Sequence, residues 1–216
     1  MAGLKILNDQ QVAGVLLILA FISFGIGASL PLFGEKGNFS IYNLPVRAYL
    51  LAVANNVVVW RWANFFMGAA GVVLLAGLTI LTTIFEKTGE RILSRLGLAG
   101  LLLAIILWVA FSAFRATVTI AAAQETITTG TMPPYYEPLA QWGSALFFVY
   151  ALVGYLALAA YGGSLLHLGL LPAWVGWGTI LFSIATMALL LITGDTLPAF
   201  HYLPPLLIGI LLLIRG

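Results

Sequence analysis

The sequence predicts an all-α fold, a polytopic transmembrane helical bundle with six spans and one short interfacial helix. Of the 216 residues, 62% are hydrophobic and 7% are charged, whereas a soluble chain carries about 25% charged residues. Apolar runs that can cross a hydrocarbon core of about 30 Å as helices recur between short polar segments. The 23 glycines are spread through these runs, as is usual in packed transmembrane helices. Residues 1–216 are therefore predicted to form a single transmembrane domain in a lipid bilayer.

Composition and charge exclude several classes of function. The net charge is +2 and the nine Lys and Arg residues are dispersed, so the chain has no basic patch that would bind nucleic acid. The absence of cysteine excludes disulfides, thiolate metal sites, iron–sulfur clusters and cysteine nucleophiles. Six spans with short loops use the whole length and leave no room for a separate catalytic module.

The first span is predicted at residues 12–33. This run of 22 residues is longer than the roughly 7–15 apolar residues of a signal peptide. Lys5 and Asp9 cancel in charge before it, and the run continues past Gly27-Ala28-Ser29, which weakly resembles a cleavage region. We therefore expect a retained span and not a cleaved leader.

A polar turn at 34–38 precedes a short helix that is predicted at the membrane interface, from Pro45 to Trp60. Arg47, Asn55 and Asn56 interrupt the apolar positions of this segment. Such an interrupted pattern favours a helix that lies along the membrane surface over one that crosses it.

The second span is predicted at residues 63–85. Trp60, Arg61 and Trp62 stand at its start as an aromatic and basic interfacial anchor. The segment Glu86–Arg95 after it is the most highly charged in the chain and contains three basic residues. The positive-inside tendency therefore predicts that this loop is cytoplasmic.

The third span is predicted at residues 96–121. At 1.5 Å per residue a helix crosses the bilayer in about 20 residues, which places Arg115 near the outer boundary. The helix can continue to Ala123 above the membrane. The external loop 124–138 follows, with prolines that stop helices and pre-set turns.

The last three spans are predicted at residues 139–166, 173–193 and 200–214. The final run is short, and it spans the bilayer if Pro204-Pro205 lies in its first turn, where a missing amide donor costs little. Six spans put both termini in the cytoplasm. The cytoplasmic Lys and Arg residues then outnumber the external ones by five to four.

The predicted topology collects polar side chains at the outer leaflet as a ligand-binding or structural cluster. Arg115 and Asp195 are placed at the same depth, where an ion pair would reduce the cost of desolvating either charge. The alternative is that Arg115 reaches to phosphate headgroups while Asp195 caps a turn in water. The candidate residues are Arg61, Arg115, Glu125, Glu137, Asp195, His201 and Tyr202.

His201 is the titratable member of this cluster near neutral pH. It is interpreted as a structural residue at the interface, with a proton relay, a metal ligand or a haem ligand as alternatives. His167, the other histidine, is predicted at the opposite leaflet, which disfavours a haem that both would hold. No spacing of His and Glu typical of a metal site and no serine nucleophile motif is present. We expect no catalytic residue and no metal, and the sequence does not indicate a cofactor.

The C-terminal part of the chain resembles a known group. The segment Leu170-Leu171-Pro172-Ala173-Trp174-Val175-Gly176-Trp177, followed by Thr193-Gly194-Asp195-Thr196-Leu197-Pro198, is similar to small bacterial integral membrane proteins of unknown function. In that group the fourth helix ends in a Leu-Leu-Pro-x-Trp-x-Gly-Trp turn before two final spans. The resemblance covers about the last fifty residues. It implies a six-helix fold in a bacterial plasma membrane and transfers no catalytic residue.

The sequence therefore predicts an integral membrane protein that is not an enzyme. Its expected role is to bind a small or lipidic ligand, or a membrane partner, at the outer leaflet. One alternative is an auxiliary subunit of a larger respiratory or photosynthetic membrane complex. The other is a uniport-type transporter of an apolar solute, because the spans are almost free of charge at their midpoints.

Overall fold

The computed structural model describes residues 8–33 and 44–215, and these residues form helices and no strand. The all-α fold class is thereby confirmed. Lys5 and the predicted turn at 34–38 lie outside the described residues. The helices are α1 (Asp9–Ser29), α2 (Val46–Asn55), α3 (Val57–Lys87), α4 (Ile92–Ala116), α5 (Val118–Thr129), α6 (Tyr136–Leu168), α7 (Ala173–Thr193) and α8 (Leu203–Arg215), with 3-10 helices at Leu30–Phe33 and Pro198–Tyr202.

Six helical stretches of the described chain are long and apolar enough to cross a membrane. The protein is therefore a multi-pass membrane protein, as its composition predicts. The stretches are Asp9–Leu32, Val57–Lys87, Ile92–Thr129, Tyr136–Leu168, Ala173–Thr193 and Pro198–Arg215.

The predicted interfacial helix is shorter than expected and ends at a break before α3. Asn56 leaves the helical region, with φ −142° and ψ 48°, and its amide donates to the carbonyl of Val53. Residues 57–60 therefore belong to α3, which begins six residues before the predicted second span. The helix α2 that remains packs against α5.

A second break separates α4 from α5. Thr117 has φ −124° and ψ −72°, and its hydroxyl contacts the carbonyl of Ala113 at 2.7 Å. The indole N–H of Trp60 donates to the carbonyl of Arg115 at 3.0 Å, which satisfies a backbone acceptor at the end of α4. The chain then continues as helix to Thr129, beyond the expected limit at Ala123.

Side chains cap the starts of two helices, α1 and α4. The Asn8 side chain accepts from the amide of Gln11 at 2.9 Å, and the Gln11 side chain accepts from the amide of Asn8 at 3.2 Å. This reciprocal arrangement has the geometry of a capping box and begins α1. The carboxylate of Glu90 caps the start of α4, since it accepts from the amides of Leu93 and Ser94.

The chain divides into two compact units. Unit 1 takes its described residues from Met1–Phe21, Val72–Ile105 and Phe148–Gly216, and unit 2 takes them from Ile22–Gly71 and Ile106–Phe147. Four helices, α1, α3, α4 and α6, contribute residues to both units. The prediction of one domain is not tested by this division.

Small residues allow helices of unit 1 to approach closely. A Cβ atom at Gly162 of α6 would lie 2.9 Å from the carbonyl oxygen of Gly176 of α7. A Cβ atom at Gly14 of α1 would lie 2.7 Å from the carbonyl oxygen of Gly209 of α8. Because no larger side chain fits at these positions, glycine sets the spacing of both helix pairs.

Candidate ligand site at the Asp195 turn

The turn that holds Asp195 is built by the two residues before it. Gly194 ends α7 in the left-handed region at φ 75°, and its amide donates to the carbonyl of Leu190 at 2.8 Å. The Thr193 hydroxyl contacts the carbonyls of Leu189 and Asp195 at 2.8 and 2.7 Å. Threonine and glycine thus end the helix and determine where Asp195 lies.

The end of α5 has the same turn with a different third residue. Gly130 has φ 74°, and the Thr129 hydroxyl contacts the carbonyls of Glu125 and Thr131 at 2.9 and 3.0 Å. Thr131 therefore occupies the position that Asp195 holds at the end of α7. Because the turn forms there with a threonine, the backbone does not require a carboxylate at that position.

A shallow recess of about 220 Å³ is lined in part by Asp195. Asp195 is the one charged residue among the described lining residues, and the other walls are largely apolar. The carboxylate is exposed, and its Oδ1 atom accepts from the amide of Thr196 at 2.7 Å. The lining residues are Leu189, Thr193, Asp195, Thr196, Leu197 and Phe200. An acid at the rim of an apolar surface suits the polar end of an amphipathic molecule.

The inner side of the turn is anchored to α6. The buried hydroxyl of Thr196 hydrogen-bonds the hydroxyl of Tyr155 at 3.0 Å. The ring of Tyr155 stacks on the imidazole of His201, with centroids 3.9 Å apart and planes 17° apart. These contacts join both ends of the segment 196–201 to one helix.

His201 occupies a notch in α6 that Gly154 creates. A Cβ atom at Gly154 would lie 2.7 Å from the Nε2 and Cδ2 atoms of the ring, so glycine is required for this approach. The Nε2 atom lies 3.1 Å from the carbonyl oxygen of Ala151. The ring of Tyr150 packs against the imidazole, with ring centroids 4.6 Å apart. The side chain is 2% exposed, so the histidine that the sequence places at the interface is buried inside unit 1.

The predicted site residues fall into both units. Asp195, His201 and Tyr202 belong to unit 1, and Arg61, Arg115, Glu125 and Glu137 belong to unit 2. Tyr202 is fully buried, whereas Arg61, Glu125 and Glu137 are exposed. Because each unit is described by itself, the pairing of Arg115 with Asp195 stays a prediction.

Arg115 lies among aromatic side chains of unit 2. Its guanidinium carbon is 4.6 Å from the ring centre of Trp60 and 5.5 Å from that of Phe111. Burial raises the pKa of Tyr49 on α2, and the nearby positive charge of Arg115 opposes that rise. Cation–π contacts of this kind stabilise a partly buried guanidinium.

Glu125 contacts the loop that precedes α6. The Tyr135 hydroxyl donates to its Oε2 atom at 3.0 Å. Partial burial and the hydrogen bond to the Glu125 carboxylate both raise the pKa of Tyr135. Within residues 8–33 and 44–215, no group of three or more His, Asp or Glu side chains could hold a metal ion.

A buried carboxylate, Glu90, was not identified from the sequence. It is 5% exposed and accepts from the Ser164 hydroxyl of α6 at 2.8 Å, besides the two amides that begin α4. Burial raises its pKa, but the hydrogen bonds together outweigh burial and leave the pKa below its ordinary value. The signal in the sequence is an acid directly before a helical run, the pattern of a helix N-terminus.

The described part of the chain thus brings together one exposed acid, an apolar recess and a buried aromatic anchor. In comparisons with known proteins, no family model, curated protein or solved structure matches this chain.

Proposed function

We propose that this membrane protein binds an amphipathic ligand in the Asp195 recess. The ligand presents a cationic or hydrogen-bond-donating group to the Asp195 carboxylate and lays its first carbons against Leu197 and Phe200. The observation that carries the proposal is that the hydroxyl contacts that build the turn at the end of α7 form equally at the end of α5, where Thr131 stands in place of the exposed Asp195. The Oδ1 atom accepts from the Thr196 amide, and the charge of this exposed carboxylate is the group that a ligand would meet.

The size of the recess limits what it takes up. Pockets that enclose a whole small ligand measure about 300–1,000 Å³, and this recess is smaller, at about 220 Å³. It therefore holds the polar end of the ligand, while the remaining chain lies along exposed apolar residues such as Leu189 and Ile192. A single-chain or double-chain lipid with an amine or hydroxyl headgroup has this form.

The proposed setting is a bacterial plasma membrane with both termini in the cytoplasm. The charged segment after α3 is then cytoplasmic, and α7, with 21 residues, is about 32 Å long and carries Asp195 to the outer leaflet. The proposed role is binding and not catalysis. Lipids are the proposed partners, and other membrane subunits are the alternative class of partner.

Native mass spectrometry with three probes of equal chain length tests the function. Dodecylamine, dodecanol and dodecanoate differ only in the group that would meet Asp195. Wild-type protein is expected to bind the amine best and the carboxylate worst. Asp195→Asn should weaken binding of dodecylamine by about 3- to 10-fold, because it removes a charge-assisted hydrogen bond at an exposed site.

Glu86→Gln is the matched control, since it removes the same charge at a carboxylate that pairs with Arg95. It should leave the order and strength of binding unchanged. Equal binding of the three probes by wild type, or unchanged binding by Asp195→Asn, would contradict the proposal. A much larger native mass, or a bound chromophore in the absorption spectrum, would instead favour the auxiliary-subunit alternative.

A further inference from the structure

Unit 1 contains a second and larger recess, formed where α1 begins and where α3 and α8 end. Its volume is about 640 Å³, and it is a shallow depression that lies largely open at the surface of the unit. All its described lining residues except Ile84 carry a polar group, and the set combines charged, amide and hydroxyl groups. The residues that carry the argument are Asp9, Gln10, Lys87, Thr88 and Arg215.

Among the described residues of this recess, cations outnumber acids. Of the lining residues that the structure describes, Lys87 and Arg215 are the two cations and Asp9 is the one acid. The Nζ atom of Lys87 lies 2.8 Å from the Oδ2 atom of Asp9, and both side chains are 63% exposed. Because an ion pair this exposed contributes little to stability, an incoming anion can replace Asp9 as the partner of Lys87.

This recess is distinct from the one at Asp195. Arg215 is the last residue of α8, and that helix has 13 residues after the turn segment that contains Asp195. At 1.5 Å per residue the helix separates its two ends by about 20 Å. The recess also adjoins the charged segment after α3. In the proposed orientation it therefore faces the cytoplasmic leaflet, where anionic lipids attract basic side chains.

We propose that the recess binds an anionic phosphate group, with Lys87 and Arg215 as its charged contacts. Two cations on ends of different helices can meet two oxygens of one phosphate. The phosphate belongs either to a phospholipid headgroup or to a small soluble phosphate. Asp9 opposes binding, because it competes for Lys87 and repels the anion.

Lipid retention in native mass spectrometry of the full-length chain provides the test, with phosphatidylglycerol against phosphatidylcholine as probes. Wild-type protein should retain phosphatidylglycerol preferentially. Lys87→Gln and Arg215→Gln should each reduce that preference by about 2- to 10-fold. Arg91→Gln is the control, since it removes an exposed charge from the same segment but does not line the recess.

Asp9→Asn separates binding from a structural role of the ion pair. If the recess binds phosphate, Asp9→Asn strengthens retention of phosphatidylglycerol while Lys87→Gln weakens it. If Asp9 and Lys87 only hold α1 against α3, both variants change retention in the same direction, or neither variant changes it. Either result would overturn the proposal. Displacement of the lipid by inorganic phosphate would assign a soluble phosphate, and retention in its presence would assign the lipid headgroup.

Discussion

Glu90 shows how a single buried carboxylate can join two helices. Its two oxygens accept from the amides of Leu93 and Ser94 at the start of α4 and from the Ser164 hydroxyl of α6. An ionised carboxylate accepts at all of these positions, whereas an amide must turn a donor toward one of them. The ionised form is therefore the one that unit 1 stabilises.

Glu90→Gln is expected to destabilise the protein by about 1–3 kcal/mol, the cost of leaving a buried donor without an acceptor. Thermal unfolding in detergent at neutral pH measures it. Glu86→Gln, at a carboxylate that pairs with an exposed arginine, should have a much smaller effect. Equal shifts in the two variants would contradict the assigned role of Glu90.

The same residue predicts a dependence of stability on pH. The pKa of Glu90 is lowered in the folded protein, so its stabilising contribution is fully present above the pKa of the unfolded chain, about 4.3. That contribution is lost as the pH falls through the lower folded pKa. Wild type should therefore lose more stability than Glu90→Gln when unfolding is measured at decreasing pH below about 5.

At the scale of elements, the segment 196–202 takes its position from α6 and not from its own propensity. The ring of His201 enters the notch at Gly154, and the Thr196 hydroxyl meets Tyr155. Phe200, on the same short helix, lines the Asp195 recess. The notch in α6 thus determines the shape of one wall of the candidate site.

Gly154→Ala is expected to displace the imidazole, since the new Cβ atom would lie 2.7 Å from two ring atoms. We expect a loss of about 1–3 kcal/mol, the usual cost of overpacking a core, and weaker binding of dodecylamine. Gly178→Ala on α7 is the control, because no atom lies within 4 Å of the Cβ it would add. A destabilisation by Gly178→Ala as large as that by Gly154→Ala would show that the notch is not the cause.

For the whole molecule, the orientation in the membrane is the property on which both proposed sites depend. The chain contains no cysteine, so a single introduced thiol reports the side of the membrane without background. In intact cells a membrane-impermeant maleimide should label Thr128→Cys, which is exposed near the end of α5. It should label Arg91→Cys only after the cells are permeabilised, and the reverse pattern would show that the orientation is inverted.

The membrane-spanning helices could be predicted well because hydropathy along the chain determines them. Every predicted span lies within a helix or a pair of consecutive helices, and Pro204-Pro205 falls in the first turn of α8 as expected. The helix breaks at Asn56 and Thr117 were not predicted. Each depends on where neighbouring helices pack, as the Trp60 indole at the end of α4 illustrates.

The candidate site could be predicted only in part. Asp195 was found because it is an acid between two apolar runs, and helix length placed it at a membrane surface. The notch at Gly154 and the hydrogen bond between Thr196 and Tyr155 could not be predicted from the sequence. The residues that α6 contacts in the segment 196–201 are 41 or more positions away along the chain. Such contacts leave no periodic pattern in the sequence.

The amino-acid sequence alone is enough to predict an all-α membrane protein, the number of apolar runs that can cross the bilayer and the segments where charges concentrate. These are local properties, because the transfer of each run from water to lipid depends on its own side chains. The burial of His201 and Glu90 and the exposure of Asp195 are visible only in the folded chain. Burial and hydrogen-bond pairing depend on which distant residues the packed helices bring together.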